Sequence, residues 1–160
     1  MIKIGVLSDT HLKLVNNVLR SIYDKYLADT DMIIHAGDIV SIEIIAFLEQ
    51  KPFHGVSGNM DPMEVIGLLP PKKIIQAGKF RIGILHGWGT ASGLEERVYS
   101  EFEDVDIIIF GHSHRPTKYT KNGVLLFNPG TATGHTSSGQ NTIGYLELDD
   151  KINSEIIYIN

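Results

Sequence analysis

The sequence predicts an α/β fold in which two packed sheets are flanked by helices, and three observations predict it. The first part of the chain alternates short β-branched runs with helical periodicity. The remainder is dominated by paired strands around one helix. The polar residues with chemistry to offer fall just after strands, and in α/β sheets ligands gather at the carboxyl ends of the strands. At 160 residues the chain suits one domain spanning residues 1–160.

Ile2 to Leu7 reads as a buried strand that stops at the polar segment Ser8-Asp9-Thr10-His11. From Asn16 to Leu27, Val18, Leu19, Ile22, Tyr23, Tyr26 and Leu27 recur at three- and four-residue steps, which predicts a helix with one apolar face. Met32 to Ile34 is a second strand with Ala36-Gly37-Asp38 as its loop, and Ser41 is placed to cap a helix carrying Ile44, Ile45, Phe47 and Leu48. A third strand, Pro52 to Val56, ends at Ser57-Gly58-Asn59-Met60-Asp61-Pro62; a short helix from Glu64 to Leu69 must stop at Pro70-Pro71. Lys72 to Gln76 and Phe80 to Leu85 suit a hairpin around Ala77-Gly78-Lys79, its second arm running into His86-Gly87-Trp88-Gly89. Leu94, Val98 and Phe102 stripe a helix, and Asp106 to Phe110 returns to strand before Gly111-His112-Ser113-His114. Lys118 to Lys121, Val124 to Phe127, Asn141 to Leu148 and Glu155 to Ile159 complete the strands, with turns at Asn122-Gly123 and Asp149-Asp150.

Composition narrows the chemistry. The 42% hydrophobic and 21% charged content is that of a globular protein. Net charge is -5 and the 14 Lys and Arg form no basic run, which argues against an extended nucleic-acid surface. A small phosphate ester stays open, because a bound metal would dominate the local field. With no cysteine, a metal must be held by His, Asp, Glu or Asn. The longest apolar region, Met32 to Leu48, is interrupted by His35, Asp38 and Glu43, so no membrane span is expected. Asp9 and His11 come too soon for a cleavable signal peptide, and a soluble cytoplasmic protein is expected. The oligomeric state is open, a homo-oligomer included.

Collected from the strand ends, Asp9, His11, Asp38, Asn59, His86, His112 and His114 form an oxygen and nitrogen set suited to manganese, iron, nickel or zinc. Seven donors exceed one tetrahedral zinc. They suit two metals about 4 Å apart that share a carboxylate. In Asp9-x-His11 and His112-x-His114 the paired donors are expected to turn to one side just past a strand. Gly37, Gly58 and Gly111, each before a donor, are expected to let the backbone turn sharply. His35 and His54 read as structural, and His135 as a loop residue. Trp88 either floors a cleft or packs beneath the His86 loop.

In order and spacing, Asp9-x-His11, Gly37-Asp38, Gly58-Asn59, His86 and Gly111-His112-Ser113-His114 resemble the five blocks of calcineurin-like metallophosphoesterases. The short length and Gly58-Asn59-Met60-Asp61 resemble the small phosphodiesterase subgroup, which includes bacterial and archaeal enzymes and the retromer subunit of the same fold. The resemblance runs from Asp9 to Asn128-Pro129-Gly130 and implies a four-layer αββα sandwich of two mixed sheets with a dinuclear site at one edge. By position it gives Asp9, His11, Asp38 and His114 to one metal and Asp38, Asn59, His86 and His112 to the other, with Asp38 as the bridge. It implies two divalent ions, manganese first, with nickel, iron or zinc as alternatives. Asp38, Asn59 and His86 then stand as catalytic residues, and Asn59 and Arg115 as substrate contacts.

The implied activity is hydrolysis of a small phosphodiester by a metal-bridging hydroxide, the metals' +4 against the carboxylates' -2 drawing in the phosphate. Met60 stands where many relatives carry a histidine that protonates the leaving group, so no general acid is identified and good leaving groups are expected to be favoured. Asp61 either orients a ligand or caps the turn before Pro62. Thr131-Ala132-Thr133-Gly134-His135 stands where relatives often have Ser and Arg. The rival reading is a non-catalytic binding or scaffold protein that retains the fold; the complete donor set favours the enzyme.

Overall fold

The computed structural model describes residues 1–159, in which the strands form two five-stranded sheets. In the first, β1 (Ile2–Leu7) pairs in parallel with β2 (Met32–His35), and β2 with β3 (Phe53–Gly55). The second is built on a hairpin of β4 (Lys72–Ala77) and β5 (Phe80–Leu85), continued in parallel by β6 (Ile107–Ile109). Beyond β6 lies β8 (Val124–Asn128), parallel to it, with β7 (Thr117–Lys121) antiparallel at the edge. The chain then returns to the first sheet, where β9 (Thr142–Leu148) runs antiparallel to β1 and β10 (Ile152–Tyr158) closes that side. Each sheet therefore mixes parallel and antiparallel pairs.

Period-two alternation builds the layers. Ile4 and Val6 of β1, Ile34 of β2, Ile107 and Ile109 of β6 and Phe127 of β8 meet in one buried cluster between the sheets. Their neighbours point outward: Leu7 and Ile33 pack with Leu19 and Ile22 of α1 (Asn17–Ile22) and Ile44, Ile45 and Leu48 of α2 (Ile42–Leu48). On the far side Ile108 and Leu126 pack with Leu94 and Val98 of α4 (Leu94–Tyr99) and with Phe102. The order is thus helix, sheet, sheet, helix, the predicted four-layer αββα sandwich. Ser41 caps α2 as expected, its hydroxyl accepting the Glu43 N–H at 3.1 Å.

Several boundaries differ from the sequence reading. The helix expected from Asn16 to Leu27 is α-helical only to Ile22, then widens to a π-helical turn over Tyr23–Leu27, where the Ala28 N–H reaches the Tyr23 carbonyl at 2.9 Å. The stretch from Glu64 onward holds only one turn, α3 (Met63–Ile66). The β4–β5 turn is Gly78-Lys79 alone, because Ala77 still pairs with Phe80. β10 starts at Ile152, three residues before the expected Glu155. No helix among the described residues is long and apolar enough to cross a membrane.

Candidate metal centre

The carboxyl ends of β1, β2, β3, β5 and β6 deliver the seven predicted donors to one place. Asp9, Asp38 and His86 are buried, His11, His112 and His114 are half-buried, and Asn59 is exposed, so the cluster has a buried floor and an open rim. Asp9 Oδ1 lies 3.3 Å from His114 Nε2, 3.7 Å from His11 Nε2 and 3.8 Å from His86 Nε2. Asp38 Oδ2 lies 3.2 Å from His86 Nε2 and 3.6 Å from His11 Nε2. Asn59 Oδ1 completes the chain of contacts, 3.0 Å from His86 Nε2 and 3.2 Å from His112 Nδ1.

The protein fixes which atoms face inward. A carbonyl oxygen can only accept, so the far nitrogen of each of three histidines must carry a proton. His86 Nδ1 donates to Ala36 O at 2.7 Å, His112 Nε2 to Gly89 O at 2.7 Å and His114 Nδ1 to His135 O at 2.6 Å. In the neutral rings the remaining lone pairs then point at the carboxylate and amide oxygens. The carboxylates are held the same way. Asp9 Oδ2 accepts from the Ser8 hydroxyl at 2.6 Å and the His112 N–H at 3.0 Å, while Asp38 Oδ1 accepts from the Met60 N–H at 2.8 Å. One oxygen of each is left for the centre.

This arrangement fits divalent metal. Imidazole lone pairs facing carboxylate and carbonyl oxygens repel one another unless protons or cations stand between them. Asp9 Oδ1 and His11 Nε2 are buried and have no hydrogen-bond partner. Asp9, His11 and His114, and again Asp9, Asp38 and His86, bring their donor atoms within 4.8 Å of one another. The proton-filled form shows the same demand for positive charge. Burial alone would raise Asp9, but His11, His114, the His86 charge and Ser8 together hold it well below the usual carboxylate range. Burial likewise acts upward on Asp38, and His86 and the Met60 N–H outweigh it to lower that carboxyl. Asp9 draws His114 up to about 9 against the opposing effect of burial. His86 is also raised, Asp38 and Asp9 overcoming a large burial penalty.

Local backbone explains the donor spacing differently from the sequence reading. Asp9, His11, Asp38, His112 and His114 all sit at positive φ, between 49° and 73°, so the donor pairs turn in left-handed conformations rather than by strand alternation. Of the preceding glycines only Gly37 has positive φ, at 102°. Gly58 and Gly111 are needed for close approach: a Cβ at Gly58 would lie 2.7 Å from the Asp38 nitrogen, and one at Gly111 would collide with Ser8 Oγ and lie 2.6 Å from Asp9 Oδ2.

Supporting residues complete the site. Asp61 accepts the backbone N–H groups of Asp38 at 3.0 Å, Val40 at 2.7 Å and Gly58 at 2.7 Å, so it ties two donor loops together. Asn128 donates to Gly111 O at 3.0 Å and Ser113 Oγ at 3.1 Å, and Thr131 Oγ1 donates to Asp9 O at 2.7 Å. Ser8, Asn128 and Thr131 carry no donor spacing that would single them out in sequence. His35 is structural as expected: burial lowers its pKa to about 3, the Gly37 N–H donates to Nδ1, and Nε2–H donates to Thr10 Oγ1. His54, half-buried, lies outside the cluster, and Arg115 and His135 are exposed beside it.

The sequence profile of the calcineurin-like phosphoesterase superfamily domain matches residues 2–151. The chain is 32% identical over 161 residues to a probable metallophosphoesterase of Methanocaldococcus jannaschii, across 98% of this chain and 81% of that one. Its fold is similar to vacuolar protein sorting 29 of Cryptosporidium parvum, with TM-score 0.73 and 24% identity over 99% of this chain and 97% of that one. It is also similar to a structure characterised as a novel archaeal phosphodiesterase, with TM-score 0.74 and 25% identity over 99% of this chain and all of that one. With a profile spanning nearly every residue and a relative matched almost end to end, the chain belongs to the calcineurin-like phosphoesterase superfamily.

Proposed function

We propose that the protein is a dinuclear-metal-dependent phosphodiesterase acting on a small phosphodiester. The observation that carries this reading is the set of inward-facing lone pairs whose far nitrogens are locked by backbone carbonyls. Asp9, His11, Asp38 and His114 would hold one ion, and Asp38, Asn59, His86 and His112 the other. The rings fall into the same pairs, His11 with His114 at 5.3 Å between centroids and His86 with His112 at 5.2 Å. Asp38 is the proposed shared ligand by its position in the family pattern, and its free oxygen lies near His11 of one set and His86 of the other. Manganese is the first candidate, with nickel, iron and zinc next.

Held there, the metal pair supplies Lewis acidity and a water made nucleophilic at neutral pH. The chain's own residues orient and select. Asn59 and Arg115, both exposed, are the proposed phosphate contacts. Met60 offers no proton to a leaving group, which favours esters of acidic alcohols and phenols. The proposed substrate is a diester rather than a monoester. The similarity to an archaeal phosphodiesterase supports that choice.

The test is to strip metal, restore manganese, nickel, iron, zinc or magnesium singly, and compare an aryl phosphodiester with the matching monoester. Turnover restored on the diester is the expected result. No turnover with any metal would favour the scaffold reading, in keeping with the similarity to vacuolar protein sorting 29.

Metal binding should also release protons. His114 without metal titrates at about 9, so it is protonated at pH 7.5 and must lose that proton to become a ligand. Calorimetric titration at pH 7.5 in buffers of differing ionisation enthalpy should show that release, with affinity rising as pH approaches 9. The opposite slope holds for the metal-free fold. The raised His114 contributes stability that is full below pH 6.5 and lost as pH rises through about 9, which thermal unfolding across that window will show.

A further inference from the structure

Trp88 is the chain's single tryptophan, and at 45% exposure it is not packed beneath the His86 loop. Both of its neighbours abut His112. The Gly89 carbonyl takes the His112 Nε2 proton at 2.7 Å, and a Cβ on Gly87 would lie 3.6 Å from His112 Cβ. Those glycines have φ of 101° and 82°, so the chain bends on each side of the indole. Arg97 holds the bend: Nε donates to Trp88 O at 2.9 Å, one terminal nitrogen to Ser92 O at 3.0 Å and the other to Thr90 O. One planar guanidinium gripping three carbonyls leaves this loop little freedom.

The indole itself is uncommitted. Among the described residues its N–H has no hydrogen-bond partner and its ring stacks on no other ring. Met60, 60% exposed, follows Asn59 on the loop that meets His86 and His112 at this end of the cluster. A rigid, half-exposed aromatic one residue from a donor-anchoring carbonyl has the features of a stacking platform: a large π face at little ordering cost.

We propose that Trp88 is a specificity-determining residue that stacks on an aromatic ester group of the substrate, an aryl ring or a nucleobase. Resting on the phosphodiesterase reading, this narrows the substrate class to aromatic phosphodiesters. Arg97 is the positioning residue that keeps the platform in place.

As the sole tryptophan, Trp88 reports directly. Wild-type protein at fixed manganese is titrated with adenosine monophosphate, phenyl phosphate and methyl phosphate while indole fluorescence is followed. The two aromatic probes should quench at lower concentration than methyl phosphate, and the stronger of the two identifies a nucleobase or an aryl ring as the preferred group. In parallel, Trp88→Ala and Trp88→Phe are assayed on bis(4-nitrophenyl) phosphate and on adenosine 2′,3′-cyclic phosphate. For the preferred ester Trp88→Ala should raise KM about tenfold with little change in kcat, and Trp88→Phe should restore most of the loss. Equal quenching by methyl phosphate, or an unchanged KM in Trp88→Ala when the wild type is active, overturns the stacking role alone. A wild type that turns over neither ester overturns the phosphodiesterase reading and the stacking role with it.

Discussion

Asp38→Asn lowers kcat on an aryl phosphodiester by two to three orders of magnitude, about the cost of removing one group that organises transition-state charge. The fold should survive. Asparagine tolerates the left-handed backbone that Asp38 adopts at φ 58°, and its amide oxygen can still accept the Met60 N–H. The main-chain bonds at this position, from the Asp38 N–H to Asp61 and from the His11 N–H to the Asp38 carbonyl, do not involve the replaced group. What is lost is the charge on the oxygen facing His11 and His86. Steady-state kinetics and a melting curve measure the two halves of this expectation. An Asp38→Asn protein with near-wild-type turnover would sink the bridging assignment.

Asp61→Ala should destabilise the protein by about 3 kcal/mol or more, because hydrogen bonds to a charged acceptor are worth about 1.5–3 kcal/mol each and three N–H groups, one buried and two half-buried, lose theirs together. Two of those groups belong to Asp38 and Val40, which sit at φ 58° and 74° and need the surrounding bonds to hold them there. Metal affinity should fall as well, since the Asp38 and Gly58-Asn59 loops are no longer tied. Denaturant unfolding checks the stability and calorimetry the affinity. A variant within 1 kcal/mol of wild type, a small effect for a buried polar deletion, would contradict the role given to Asp61.

Asp61 also shows where sequence reading stops. Its two readings, ligand orienter and turn cap, are both partly met: it caps nothing in α3, whose cap is Pro62, yet it accepts the Gly58 N–H within its own turn and reaches Asp38 and Val40 across the site. The five donor blocks were legible because imidazoles and carboxylates just past apolar runs are chemically conspicuous. Two sheets flanked by helices were legible because strand-helix units fill the front of the chain and hairpins around one helix the rest. The uniformly apolar run Ile107-Ile108-Ile109, by contrast, hid that its outer residues face one layer and Ile108 the other.

Contacts between distant residues were not legible. The His112 N–H bond to Asp9 and the Thr131 bond to the Asp9 carbonyl each join residues more than a hundred apart, and no local spacing encodes them. The glycines illustrate the same limit. Gly58 and Gly111 read in sequence as points of sharp turning, but the structure needs them to leave room for Asp38 and for Ser8 and Asp9. Arg97 belongs to no motif in the sequence; only the folded loop shows it gripping the carbonyls of Trp88, Thr90 and Ser92.

The central claim is that these seven donors bind two metals with Asp38 between them. Crystals grown with manganese and measured for anomalous scattering test it most directly. Two peaks are predicted, one among Asp9, His11, Asp38 and His114 and the other among Asp38, Asn59, His86 and His112. A single peak, or manganese bound away from these residues, would contradict it.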